Sequence, residues 1–296
     1  ISDPDLELNF PISIGFDRDF VIDWGDENCE SFQTSKEDES VPYVNHAYSN
    51  GGYKVVRVRG SVSNIKDYFN SLYETSSLFM QQLVSVINLG DVGWKSLEYT
   101  FFGTGKLGKL NFGNTNLSSV TNMYKAFGDS AVPNIDFRNL RTSMVNDMRY
   151  LFFGSLSKST SIDISPLDTY NVLSFKGMFS QNSAVQNISF GSINTSNVTD
   201  MSYMFNDASS LLSLDLSNFN TAQVEDMSGM FENTFDLEFL NLGAWEVNNL
   251  SLSNNAFGDA GSPPFISNGE NNHLVCADGS VTFDSITYTC DGVNND

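Results

Sequence analysis

Short apolar–polar–apolar triplets recur along most of the chain: Ile87-Asn88-Leu89, Leu110-Asn111-Phe112, Ile135-Asp136-Phe137, Ile162-Asp163-Ile164, Ile188-Ser189-Phe190, Leu214-Asp215-Leu216 and Leu240-Asn241-Leu242. From Leu110 onward they start 25, 27, 26, 26 and 26 residues apart. Alternation with period two predicts a half-buried strand. Ten residues after each start from Leu110 on stands another apolar residue: Val120, Val145, Val172, Val198, Val224 or Leu250. Three positions further come Met123, Met148, Phe175, Met201 and Met227, and seven further Phe127, Phe152, Phe179, Phe205, Phe231 and Phe257. Spacing of i, i+3, i+7 predicts one face of a short helix.

Each unit therefore reads as one strand and about two helical turns. Asn197 is expected to cap its helix, and Asp147, Asp200 and Asp226 to sit in first helical turns, where acid complements the exposed amides. Trp94, Leu97 and Phe101 fill the same slots in the first unit, Ile65, Tyr68 and Leu72 suggest a degenerate helix before it, and Ile266 an atypical last strand. One such unit cannot bury both its faces, so neighbours must stack. The expected fold class is α/β: a leucine-rich-repeat solenoid with a parallel sheet on one face and short helices on the other. Its expected domains are an N-terminal β cap (1–62), about seven repeats (63–268) and a C-terminal capping hairpin (269–296).

The stretches INTSNVTDMSYMF (193–205) and LDLSNFNTAQVEDMSGMF (214–231) resemble the repeats of BspA-like leucine-rich-repeat surface proteins. That resemblance covers about residues 80–268 and implies a cell-surface protein that adheres to or recognises something; the family pattern carries no catalytic residue. Near the start, Phe20-Val21-Ile22-Asp23-Trp24-Gly25-Asp26, Asn45-His46-Ala47-Tyr48 and Tyr53-Lys54-Val55-Val56-Arg57-Val58 resemble elements of PKD-like β-sandwich domains. This stretch is short for a full sandwich, and a small antiparallel sheet capping the solenoid is expected. Asp23 and Asp26 beside Gly25 could ligate calcium, although Asp in a turn is the plainer reading.

Composition narrows the function. With 36 acidic against 15 basic side chains and a net charge of -21, nucleic acid and anionic membranes are poor partners. Surface acid that keeps an extracellular protein soluble explains the charge, as does a cationic partner or a divalent cation. At 40% hydrophobic the chain can build a core, and no apolar run reaches the roughly 18 residues of a membrane span. Ile1 is not a start methionine and no leader precedes it, so a segment of a larger secreted or cell-surface protein is expected. In that compartment Cys276 and Cys290 read as a disulfide closing a hairpin over the last repeat, leaving Cys29 as an odd, buried thiol.

The polar centres of the triplets, Asn88, Asn111, Asp136, Asp163, Ser189, Asp215 and Asn241, are the candidate ligand-binding row, predicted to run along the open sheet face with Asp136 and Asp163 adjacent. Strands facing water need polar residues in any case, so the row is either a solvated face or a binding face. Its expected partners are an extracellular or host-surface protein, peptide or glycan, with calcium as a possible bridge. His46 and His273 lie in opposite terminal regions and offer no zinc spacing, and no nucleophile–base set or phosphate loop stands out. The expected function is non-catalytic recognition or adhesion. A structural spacer is the first alternative, and a polysaccharide-active enzyme built on a parallel β-helix the second; the helical spacing argues against the latter.

Overall fold

The computed structural model describes residues 7–11, 19–33, 43–48, 54–60, 81–87, 94–258 (apart from 114, 132–134, 139, 157 and 248), 273–277, 280–283 and 286–290. Asn88, the degenerate helix at Ile65–Leu72 and Ile266 lie outside them.

The N-terminal unit is antiparallel throughout. Strands β1 (Glu7–Pro11), β2 (Asp19–Asp23), β3 (Cys29–Gln33), β4 (Tyr43–Ala47) and β5 (Arg57–Gly60) form two sheets, β1 with β4, and β3-β2-β5. Ile22, Trp24 and Tyr48 are buried in it. Tyr48 donates its hydroxyl to the Trp24 carbonyl at 3.0 Å, tying β4 to the turn after β2. Cys29 is exposed rather than buried, since it opens β3 at the rim of that turn.

From Ser85 onward strands form at or beside most of the triplets and pair in parallel, but Ile135-Asp136-Phe137 is not in a strand, contrary to expectation. β6 (Ser85–Val86) pairs with β7 (Lys109–Leu110). Farther on, β8 (Ser161–Asp163), β9 (Asn187–Ser189), β10 (Ser213–Asp215), β11 (Phe239–Gly243) and β12 (His273–Cys276) make one five-stranded sheet in sequential order. A second parallel ladder runs through Ser96, Asn122, Asp147, Ser174, Asp200, Asp226 and Leu252, and its six bridges mark six turns of a solenoid.

The expected helices are absent: residues 94–258 contain turns and no helix among the described positions. The backbone amides show why the spacing misleads. N–H groups of Met201, Tyr203, Phe205 and Asp207 donate to carbonyls of Asp226, Ser228, Met230 and Glu232 in the next coil, at 2.8–2.9 Å. The alternate amides of Met204, Asn206 and Ala208 donate three residues back, closing successive β-turns. A helix would keep every such bond within one segment, four residues back. Two of these turns place a left-handed residue third, as type II turns require: Tyr203 (φ 58°) and Asp207 (φ 59°) here, Gly229 (φ 60°) and Asn233 (φ 61°) in the next coil. Steps of three and four residues between buried Met201, Met204, Phe205 and Ala208 thus copy a helical period without a helix.

Three columns of side chains hold the coils together. Phe101, Phe127, Phe152, Phe179, Phe205, Phe231 and Phe257 are buried and stack in a file, with neighbouring centroids 5.1–5.9 Å apart and rings within 30° of parallel. Phe112, Phe137, Phe190 and Phe219 meet the file or each other edge to face. The third column is polar and buried. Thr195 donates its hydroxyl to the Asn220 carbonyl (2.9 Å) and accepts the Asn220 N–H (2.7 Å). Thr142 with Asp168, Thr169 with Asn194 and Thr221 with Glu246 repeat the pair of bonds. One hydroxyl thereby satisfies both backbone groups of a residue in the next coil, at a corner where no strand could.

The C-terminal expectation holds. β13 (Ser280–Phe283) and β14 (Ile286–Thr289) form an antiparallel hairpin, and Cys276, at the end of β12, is disulfide-bonded to Cys290 just past β14. Phe283 and Tyr288 reach the last ring of the file, with centroids 5.0 and 4.6 Å from Phe257, so the hairpin caps the aromatic column.

Phe205→Ala should cost ~3–5 kcal/mol, measured by chemical denaturation, because the ring contacts a coil on either side and the cavity cannot close. Thr195→Val, which leaves the Asn220 N–H and C=O unpaired, should lose ~1–3 kcal/mol, while Thr195→Ser keeps most of that stability.

Candidate functional site

The acids and amides at the triplet centres do more than face water. Asp163, Asp215, Asn111 and Asn241 each accept, through Oδ1, the N–H two residues on, at 2.8–3.0 Å, which turns the chain out of the strand. Asp136 does the same for Arg138. Asp163 stands opposite Ser189, and Asp215 opposite Asn241, in the strand register. Asp163, Ser189, Asp215 and Asn241 thus follow one another across β8 to β11, exposed or half-buried, and the acids and amides among them are each pinned by their own turn. Hydrogen bonds from Ser165, side chain first and then backbone, hold the Asp163 carboxyl below its usual range.

Asp136 is the most perturbed of the row. Arg138 binds it through Nε (2.9 Å) and Nη2 (2.7 Å), and these bonds, with that of the Arg138 amide, lower its pKa to about 2. It is a charge already paired, unlike the adjacent carboxylate partner for Asp163 that the sequence suggested.

A second polar row was missed. In Ser96, Asn122, Asp147, Ser174, Asp200 and Asp226 the side-chain oxygen likewise accepts the amide two residues on. Asp200 accepts two further bonds: Oδ1 that of the Ser202 hydroxyl at 2.6 Å, and Oδ2 that of Ser174 at 3.2 Å. Asp200 and Asp226 are thus each built into a turn. Asn197 donates Nδ2 to the Tyr170 carbonyl of the preceding coil (2.7 Å), which replaces its expected helix-cap role. The signal for this row was present in the sequence: Asn122, Asp147, Ser174, Asp200 and Asp226 recur at one slot per repeat, and all are short acceptors suited to Asx and related turns.

Beside this row lies an aromatic–cationic strip. Lys125 Nζ sits 5.1–5.8 Å from the Phe102, Tyr150 and Phe153 rings, and the Arg149 guanidinium 5.2 Å from Tyr124. The Tyr150 ring lies over Gly177 and the Tyr203 ring over Gly229, where any Cβ would overlap the ring. Both glycines are left-handed, at φ 60°.

In the N-terminal unit, His46 is buried, stacked 4.5 Å from Trp24, with Nε2 2.9 Å from Asp26 Oδ2 and Nδ1 3.3 Å from Glu30 Oε1. Burial raises the Asp26 pKa, but the bonds from His46 and Asn28 outweigh it and the net shift is downward. Asp23 Oδ1 accepts the Gly25 N–H and Oδ2 contacts Arg57, so both acids of the suggested calcium pair are used within the fold. Among the described residues no three His, Cys, Asp or Glu side chains are grouped as a metal site would need.

Arg138→Gln should raise the Asp136 pKa from about 2 toward the ordinary carboxylate range, read by NMR titration. Because the folded value is depressed, what the pair adds to stability is present above the ordinary Asp range and is lost as pH falls through about 2; in the variant that window closes.

No curated protein and no solved structure matches the chain. The family described as "Mycoplasma protein of unknown function, DUF285" matches it twice, over residues 59–163 and 153–266, the span that holds the coiled repeats. With more than half of its length so matched, the chain belongs to that family.

Proposed function

We propose that this segment is a non-catalytic recognition module of a secreted or cell-surface protein, and that its partner, a protein, peptide or glycan, lies across the five-stranded parallel sheet. The supporting observation is the row Asp163, Ser189, Asp215, Asn241, exposed or half-buried and in register. Coils ~4.8 Å apart repeat the group along the axis. Fixing one oxygen of each acid in a turn costs conformational freedom at folding rather than at binding, which favours affinity. The likeness of residues 193–205 and 214–231 to BspA-like surface repeats points to the same role and to the cell exterior.

The test is a glycan and extracellular-matrix protein array probed with the purified segment, with and without calcium, followed by titration of any hit. Asp163→Asn with Asp215→Asn removes both charges but keeps the turn bonds. Binding should fall about tenfold or more while the melting temperature stays within a degree or two. Affinity untouched by that pair would move the partner off this face. A segment that binds nothing would favour the spacer reading.

A further inference from the structure

The ladder through Ser96 and Leu252 carries a feature that the sheet row lacks: charge sorted by sign along the axis, with apolar side chains left in the open. Residues 94–176 contain nine basic and six acidic side chains, whereas residues 177–258 contain nine acidic and no basic ones. Because a solenoid maps sequence onto length, this sorting becomes spatial. On the face of the second ladder, exposed Lys95 and Arg149 and half-buried Lys125 and Lys176 stand on the early coils with two acids among them, Glu98 and Asp147, the second of which Arg149 binds through Nε (3.0 Å) and Nη2 (2.6 Å). Asp200, Glu225 and Asp226 stand on the coils that follow. Met144, Tyr170, Leu173 and Leu252, on or beside the same ladder, are 49–57% exposed. Leu173 is exposed between buried Val172 and half-buried Ser174, and its N–H donates to the Asn146 carbonyl of the preceding coil.

We propose that this face binds a second copy of the chain, side by side and antiparallel. A two-fold axis between the coils of Ser174 and Asp200 brings Lys176 of each copy to Asp200 of the other, and Arg149 to Glu225 and Asp226. Leu173 and Tyr170 lie beside the axis and are covered. A parallel arrangement would oppose acid to acid over all the later coils, whereas the antiparallel one does so only where Asp147 meets Asp226, with the Arg149 guanidinium that holds Asp147 between them, and so the antiparallel one is chosen. The seven ladder positions span ~29 Å, which places the contact among small interfaces, below about 1,200 Å² in total, and so among reversible, salt-sensitive ones. The proposal concerns a different face from the one assigned to the outside partner, and each can fail alone.

Sedimentation velocity of the purified 296-residue chain over a concentration series, at low salt and at about 1 M salt, tests it. A concentration-dependent dimer is expected, weakened about tenfold or more by the salt. Arg149→Glu and, separately, Leu173→Asp should each weaken it about tenfold or more, and Arg149→Glu combined with Glu225→Lys should recover most of the loss. Leu173→Asp, at a solvated position, tests the face without disturbing a turn, and melting curves confirm that each variant is folded. A chain that stays monomeric throughout overturns the proposal, as does a dimer indifferent to both salt and Leu173→Asp. A folded double variant no better than Arg149→Glu alone overturns the antiparallel register.

Discussion

The hydrogen bond from every second amide of a turn segment to the coil beyond it is the constraint on which the solenoid rests. A chain that winds through buried turns must satisfy its backbone groups without a helix or a continuous sheet to do so. Here alternate amides go outward to the next coil and the others close the turns, an arrangement that needs a left-handed residue at fixed places. Tyr, Lys, Asp, Gln and Asn accept that backbone at these positions as well as Gly. For non-glycine residues it is strained, so the neighbouring coils must hold it in place.

The side-chain columns are consequences of the same register. Once the coil length is fixed near 26 residues, like falls on like, and Phe stacks on Phe over six successive contacts. The Thr column shows the polar version, in which one hydroxyl answers both backbone groups of a residue in the next coil. Neither column tolerates a slip of one residue. Change of function is left to the outward positions, such as Leu173, Thr199 and Glu225, which share a slot and differ in chemistry.

Much of this was legible in the sequence. Most triplets lie in or beside strands, with Ile135-Asp136-Phe137 the exception, the Phe file is the spine, and the last two cysteines close a hairpin, because strand alternation, burial and disulfide topology leave direct marks. The turn segments were misread because overlapping four-residue turns and an α-helix share a spacing of three to four. The evidence against a helix was nonetheless there: Gly177 and Gly229 interrupt it, and Gln181, Asp207 and Asn233 recur at the left-handed slot. The acids of the polar row were read only as a solvated or a ligand-binding face, since a side chain bonding its own chain two residues on leaves no periodic trace distinct from exposure. Cys29 was expected to be buried only as the cysteine left over from the pair, and its place at the start of β3, at the rim of a turn, leaves it exposed.

The pairing of Tyr150 with Gly177 and of Tyr203 with Gly229 sets a unit larger than one coil. Excising the single coil that contains Gly177 would bring the Tyr150 ring onto the Cβ of Tyr203, at the site where only a glycine leaves room. Excising two consecutive coils would bring it onto Gly229 and restore the fit. Between Tyr150 and Gly229, then, coils are most readily lost or duplicated in pairs, a parity rule that does not bind the earlier coils, where the same slot holds Tyr99 and Lys125.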